Sequence, residues 1–155
     1  MTLFFLIKKR FSVYSAIVLG AVTLVGLIVL EMTVVVRLTG IMPHGYGFDL
    51  VAGFHRLFNG GERGLREIIT NIIVFVPFGF LLSEFFSSIR LFRVWRQVGY
   101  VILATFSFSL CIESLQLILH IGFFEMTDLL MNTLGALVGA SVSLLARGVR
   151  VQLND

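Results

Sequence analysis

Five polar side chains stand in otherwise apolar runs of the chain and have the types and spacing that could do chemistry. Glu113 and Gln116 lie in one hydrophobic run, Asp128 and Asn132 open the next, and Asn71 lies in an earlier one. A carboxylate in bilayer hydrocarbon costs about 2.5–3.5 kcal/mol on insertion scales, so an acidic residue there is a candidate functional residue. Carboxyl and amide groups can transfer protons or hold a polar ligand by hydrogen bonds.

The composition indicates a membrane protein. Of the 155 residues, 57% are hydrophobic and only 14% are charged, and the mean hydropathy is +0.98. A soluble domain of this length carries far more charge, because part of its surface must face water. The net charge of +3 is small, and the Lys and Arg residues cluster at the ends of apolar runs. We therefore expect membrane lipids as partners and no nucleic acid.

Four apolar runs predict an all-α fold, an integral membrane four-helix transmembrane bundle formed by a single domain. About twenty residues at ~1.5 Å each cross a hydrocarbon layer ~30 Å thick. The first run is interpreted as a retained signal anchor, because it is longer than the apolar region of a signal peptide and lacks a small-residue cleavage pattern. The domain covers residues 1–155, and the predicted spans are residues 11–30, 68–86, 98–119 and 129–146.

The long connection from Arg37 to Glu67 is expected to be a loop. Within it, Asp49 can cap a short helix whose apolar residues from Leu50 to Phe58 share one face, which predicts a helix in the membrane interface. The histidines of this loop lack metal-ligand spacing, so no metal and no other cofactor is expected. Three Lys and Arg residues precede the first span, three lie between the second and third and two follow the fourth, against four in the long loop and none in the last turn. Positive charges count mainly in short segments close to the spans, so the four in the long loop carry little weight. This pattern predicts that both termini are cytoplasmic.

Several residues are expected to shape the helices. Pro77 removes a backbone donor from the second span, which predicts a kink facing the bundle, and Gly79 is assigned a structural role beside it. Gly135 and Gly139 form a surface on which a neighbouring helix can approach closely. Glu84 is expected at the membrane interface, where it reaches headgroups or pairs with an arginine.

With this topology, the five polar side chains converge at the level of the outer leaflet, and the inner half contains no comparable set. Glu113 and Gln116 share one side of their helix, since they are three residues apart. Asp128 and Asn132 lie on one stripe of the last span with Gly135. Two roles remain open: the polar groups hold the helices together by bonding one another, or they bind a ligand.

The motifs containing these residues resemble the VanZ family. The resemblance rests on the segment from Asn71 to Leu82, then Glu113-x-x-Gln116, then Asp128-x-x-x-Asn132-Thr-Leu-Gly-Ala-x-x-Gly, in this order and spacing. The namesake of that family confers low-level resistance to the lipoglycopeptide teicoplanin. The resemblance therefore implies a place at the outer face of the bacterial cytoplasmic membrane and a part in glycopeptide resistance.

One position departs from the family pattern. Family members usually carry an arginine after the third span, and Gly122 aligns with it here. If that arginine pairs with carboxylates or with an anionic headgroup, this chain lacks the partner or recruits Arg63 or Arg66 from the long loop.

Three functions are consistent with these residues. The first is binding of a lipid-linked cell-wall precursor or a lipoglycopeptide in a groove lined by the five polar side chains. The second is an enzyme acting on a lipid-linked cell-wall or headgroup substrate, with Glu113 or Asp128 as general acid or base. The third is proton-coupled transport or assembly, with oligomer formation. Binding is favoured over an enzyme, because the spans contain no histidine and no recognisable nucleophile set. It is favoured over transport, because the inner half lacks polar residues that match those of the outer half.

Overall fold

The structure, a computed structural model, describes residues 12–39, 47–48, 55, 58–89 and 93–153. The first helix, α1, covers Val13–Leu30 and continues through a π-helical turn, Glu31–Val35, into Val36–Leu38. Four helices are long and apolar enough to cross a membrane, which confirms the predicted all-α membrane fold. The other three are α2 (Gly61–Ser88), α3 (Val94–Ile118) and α4 (Met126–Leu153).

Each helix extends beyond its predicted span. The largest differences are that α1 continues to Leu38, that α2 begins at Gly61 and that α4 ends at Leu153. Hydropathy detects only the part of a helix that crosses hydrocarbon, whereas backbone hydrogen bonds continue into the polar interface. The predicted interfacial helix lies mostly outside the described residues, within which His55, Phe58 and Asn59 are helical.

The closest helix pair is α2 with α4, and it depends on glycine. A Cβ atom at Gly135 would overlap the backbone of Ile72, and one at Gly79 would overlap the backbone of Ala136. Gly139 faces the Val76 carbonyl in the same way. Because no side chain separates the two backbones here, the polar residues on these helices are brought within hydrogen-bonding reach.

Aromatic rings fill the centre of the bundle. The Phe78 ring stacks on that of Phe108 with centroids 5.2 Å apart, and Phe75 meets Phe78 edge-on at 5.9 Å. Val101 and Ala140 in the same core are completely buried. These residues form an apolar layer between the two ends of the bundle.

Pro77 lies on the exposed side of α2, not towards the bundle as predicted. Ile73, whose carbonyl loses its helical partner to the proline, is also exposed. The inward side of α2 is occupied by Phe75, Phe78 and Gly79, which pack against the neighbouring helices. Pro77 therefore lies on the outer face of α2, and the helix continues without a break from Gly61 to Ser88.

A short backbone pairing attaches the long loop to the turn between α3 and α4. The two-residue strand β1 (Gly47–Phe48) pairs in parallel with β2 (Phe123–Phe124). This pair holds the loop beside Glu125, the residue that precedes α4.

The prediction that one end of the bundle lacks a polar set is wrong. Near the start of α1, a largely buried network that we call the termini-end cluster joins all four helices. Glu84 is buried, not interfacial, and it accepts hydrogen bonds from the Tyr14 hydroxyl at 2.9 Å and the Ser143 hydroxyl at 2.7 Å. Its predicted pairing with an arginine is present, since Arg147 Nε lies 3.7 Å from Glu84 Oε1. The cluster comprises Tyr14, Ser83, Glu84, Gln97, Ser143 and Arg147.

Candidate functional site

At the opposite end of the bundle, which we call the loop end, the side chains of Asn71 and Asp128 meet. The Asn71 amide nitrogen donates to Asp128 Oδ1 at 2.8 Å, so α2 is bonded to the first turn of α4. The exposed amides at a helix N-terminus favour a negative charge at this position. Both side chains are only half-buried, so they remain accessible from this end.

Glu113 lies deeper and is only 2% exposed. Its Oε2 accepts the backbone N–H of Glu125 at 3.1 Å, which fixes the turn that leads into α4. Asp128, Arg37 and Glu125 are all close enough to interact electrostatically with Glu113. Several carboxyl groups and one guanidinium therefore act on one another at the loop end.

Gln116 connects α3 to the last turns of α1. Its amide nitrogen donates to the Thr33 carbonyl at 3.1 Å, and its amide oxygen accepts from Arg37 Nη1 at 3.2 Å. Thr33 belongs to the π-helical turn, a distortion that is often found at functional sites. Gln116 is 2% exposed, so both bonds are screened from solvent.

Arg37 occupies the space beside Gly122. A Cβ atom at Gly122 would overlap Arg37 Nη1 and would lie 3.0 Å from Gln116 Oε1. A guanidinium thus lies beside position 122, and it comes from α1. Sequence reasoning missed Arg37 because the predicted first span ended at residue 30. The run from Met32 to Val36, which contains no Gly or Pro, was the available signal that the helix continues.

Of the two arginines named from the sequence, the structure describes the side chain of Arg66 alone. Arg66 is exposed on α2, and the side chain of Arg63 lies outside the described residues.

Asn132 is bonded to α3 and not to the other carboxyl and amide groups. Its amide nitrogen donates to the Ser109 hydroxyl at 2.8 Å, whereas its Oδ1 is buried without a hydrogen-bond partner. The hydroxyl of Thr127, the second residue of α4, is also buried without a partner. Such groups each cost about 1–3 kcal/mol when left unpaired, so they can gain from a ligand that supplies a bond.

These contacts define a loop-end cluster with an accessible rim and a buried floor. The rim is formed by Arg37, Asn71 and Asp128, which are partly exposed, and the floor lies beneath it. The structure thus brings the five predicted polar residues to one end of the bundle, where each is hydrogen-bonded to another helix or to the turn before α4. The floor residues are Glu113, Gln116 and Asn132.

The family model described as VanZ/LLP1 matches residues 17–147. The chain belongs to the VanZ/LLP1 family. Among curated proteins, Protein VanZ of Enterococcus faecium is 33% identical over 107 residues, which cover 59% of this chain and 60% of that protein. The chain thus matches about 60% of the length of this relative. No solved structure matches it.

For the VanZ/LLP1 family, the match covers almost all of the bundle. It begins in the second turn of α1 and ends at Arg147, so it includes the whole loop-end cluster. Of the termini-end cluster, only Tyr14 lies outside the matched range.

Proposed function

We propose that this VanZ/LLP1 member binds the polar head of a lipid-linked or lipid-tailed molecule at the loop end. Through this binding it contributes to resistance against lipoglycopeptides of the teicoplanin type. The observation that carries the proposal is the unmet hydrogen-bonding capacity of Asn132 Oδ1 and Thr127 Oγ1 near a rim of charged groups. A polar head placed there satisfies atoms that the protein itself leaves unpaired.

The rim provides both signs of charge. The Arg37 guanidinium can form a bidentate pair with a phosphate or carboxylate, and Asp128 can accept a hydrogen bond from an amine or hydroxyl. Apolar side chains on the adjacent surfaces of α2 and α4 are open to lipid, so a ligand tail can lie along them. They include Ile69, Ile73, Leu130 and Leu134.

We propose further that the loop end faces outward from the bacterial cytoplasmic membrane and that both termini are cytoplasmic. The distribution of Lys and Arg supports this orientation. The test uses single cysteines introduced as Asn59→Cys, Phe124→Cys and Arg93→Cys after Cys111→Ser. A membrane-impermeant thiol reagent should label positions 59 and 124 in intact cells but not 93. Labelling of position 93 in intact cells would show that the proposed orientation is wrong.

The binding proposal is tested with the protein in lipid nanodiscs and two soluble probes, teicoplanin and its deacylated form. Teicoplanin should bind more tightly than the deacylated form, because the tail adds apolar contact. Arg37→Gln should weaken teicoplanin binding roughly ten- to a hundredfold, since a hydrogen bond to a charged group contributes about 1.5–3 kcal/mol. The matched control is Arg66→Gln, which removes an exposed charge from α2. Equal binding by both arginine variants would refute the role of the rim.

An enzymatic function is the second candidate, and one observation favours it. Glu113 and Asp128 interact electrostatically while occupying different environments, one deeply buried and one at the rim. Such pairs can divide the roles of acid and base. An enzyme would change the mass of a lipid-linked cell-wall precursor incubated with the protein. Glu113→Gln would then abolish the change while precursor binding persists, whereas a binding protein returns the precursor unaltered.

A further inference from the structure

A second surface feature lies on α3, near the termini end and far from the loop-end cluster. Side chains along the first turns of α3 enclose an open groove of about 350 Å³. Trp95 forms one wall and is 67% exposed, although it is a large aromatic residue. The opposite side continues to α2, because the rings of Tyr100 and Phe86 lie 6.0 Å apart. The groove is lined by Trp95, Arg96, Gly99, Tyr100 and Leu103.

Gly99 leaves the middle of the groove open. A Cβ atom there would meet no atom within 4 Å, so the glycine is not needed for close helix packing. This differs from Gly79, where a Cβ atom would overlap the α4 backbone. The notch at Gly99 is therefore free space on an exposed side of α3.

The end of the groove at the N-terminus of α3 is positively charged. The Arg96 guanidinium lies over the Trp95 ring, 5.0 Å from its centroid, so it is held at the edge of the groove. Arg93 is the N-cap residue of α3, and the first turn of this helix contains no acidic residue. Within the described ranges, neither arginine forms an ion pair. The positive charge is therefore available to a phosphate, in a position where helix amides add to it.

We propose that this groove is a binding site for an anionic phospholipid, separate from the ligand site at the loop end. The lipid phosphate binds Arg96, and one acyl chain lies along Gly99 and Leu103. Trp95 and Tyr100 stand at the level where aromatic residues favour the membrane–water boundary. The inference rests on charge complementarity and on the open notch, and it does not depend on the proposed function.

The test uses Trp95, which is the single tryptophan of the chain, as the reporter. The full-length protein is reconstituted in phosphatidylcholine vesicles that contain a fixed fraction of brominated lipid, either phosphatidylglycerol or phosphatidylcholine. Bromine on the acyl chain quenches indole fluorescence on contact. The apparent affinity of the site should be about fivefold higher for brominated phosphatidylglycerol than for brominated phosphatidylcholine. One arginine near a membrane surface contributes roughly 1 kcal/mol, which corresponds to this ratio.

Two variants and two matched controls decide the result. Arg96→Gln should remove the preference for phosphatidylglycerol, and Gly99→Leu should fill the notch and lower quenching by both brominated lipids. Arg66→Gln and Gly20→Leu are the controls, because Arg66 is exposed and a Cβ atom at Gly20 also meets nothing within 4 Å. Circular dichroism establishes that each variant is folded.

Three outcomes would overturn the proposal. Equal quenching of the wild type by the two lipids would show that no anionic site exists. Retention of the preference in Arg96→Gln would place the site elsewhere. Weak quenching by both lipids, together with cross-linking of an introduced Leu103→Cys to its own copy, would show that a second chain covers the groove.

Discussion

The two polar clusters at opposite ends of the bundle differ in how completely their hydrogen bonds are made. In the termini-end cluster, Glu84 is bonded by two hydroxyl groups and paired with Arg147. Ser83 accepts from Gln97 Nε2 at 2.8 Å and from Arg147 Nη2 at 3.2 Å. No side-chain atom of this cluster is buried without a partner. The loop end, by contrast, contains unpaired atoms of Asn132 and Thr127.

The difference indicates two different roles. A fully bonded buried network holds helices in one arrangement and offers little to a ligand. A network with unpaired acceptors is less stable by itself and gains more from a bound molecule. The clusters are also separated by an apolar layer, which the side chains of Val101 and Ala140 help to form. We therefore assign stability to the termini end and recognition to the loop end.

The largest effect is expected from Glu84→Ala. Removing Glu84 takes an acceptor from the buried Ser143 hydroxyl and from the partly buried Arg147 guanidinium, and the loss of such an acceptor typically costs about 1–3 kcal/mol. Thermal unfolding in detergent should therefore occur at a clearly lower temperature. The control is Glu62→Ala, which removes an exposed carboxylate from the first turn of the same helix. An unchanged unfolding temperature for Glu84→Ala would show that the termini-end cluster does not stabilise the bundle.

A second comparison is between Asp128→Asn and Glu113→Gln in the teicoplanin binding assay. Asp128 is at the accessible rim, and loss of its charge should weaken binding about tenfold or more. Glu113 is beneath the rim and already accepts the Glu125 amide, a bond that a glutamine oxygen can also accept. Its substitution should change binding less than about threefold. The reverse order of effects would show that the buried carboxyl group, not the rim, contacts the ligand.

Gly122→Ala should affect binding more than stability. The new Cβ atom displaces the end of the flexible Arg37 side chain, so the cost in stability is about 1 kcal/mol, the value of one hydrogen bond to Gln116. Teicoplanin binding should fall as far as it does in Arg37→Gln. In a double-mutant cycle, Gly122→Ala should then cause no further loss when Arg37→Gln is present. Additive losses would mean that the two residues act independently.

The smallest effects are expected from two threonine-to-valine substitutions, which remove buried hydroxyls without partners. Thr105→Val and Thr127→Val should each leave stability unchanged or raise it by up to about 1 kcal/mol. Only Thr127→Val should also weaken teicoplanin binding, because Thr127 adjoins Asp128 at the rim, whereas Thr105 lies one helical turn before Ser109 on α3. Weaker binding in both variants would mean that the ligand reaches the middle of the bundle.

Much of the fold could be predicted from local properties of the chain. Composition and run length determine that four helices cross a membrane, since an apolar run of this length has no better environment. Asn71, Glu113, Gln116, Asp128 and Asn132 were found because polar groups in hydrocarbon are costly. The same reasoning judged Glu84 wrongly. Its position near the end of an apolar run suggested the interface, whereas it is buried against Ser143 and Arg147.

The exact partners were decided only by tertiary structure. Arg37 and Gln116 are 79 residues apart in the sequence, and their contact requires α1 to continue past residue 30. The π-helical turn also shifts the helical phase of the residues that follow it. Which face each helix turns inward depends on backbone contacts such as that of Gly135 with Ile72. The rotation of each helix about its axis and the distance between neighbouring helices are set by packing in the bundle. Hydropathy and residue spacing along the sequence therefore do not determine them.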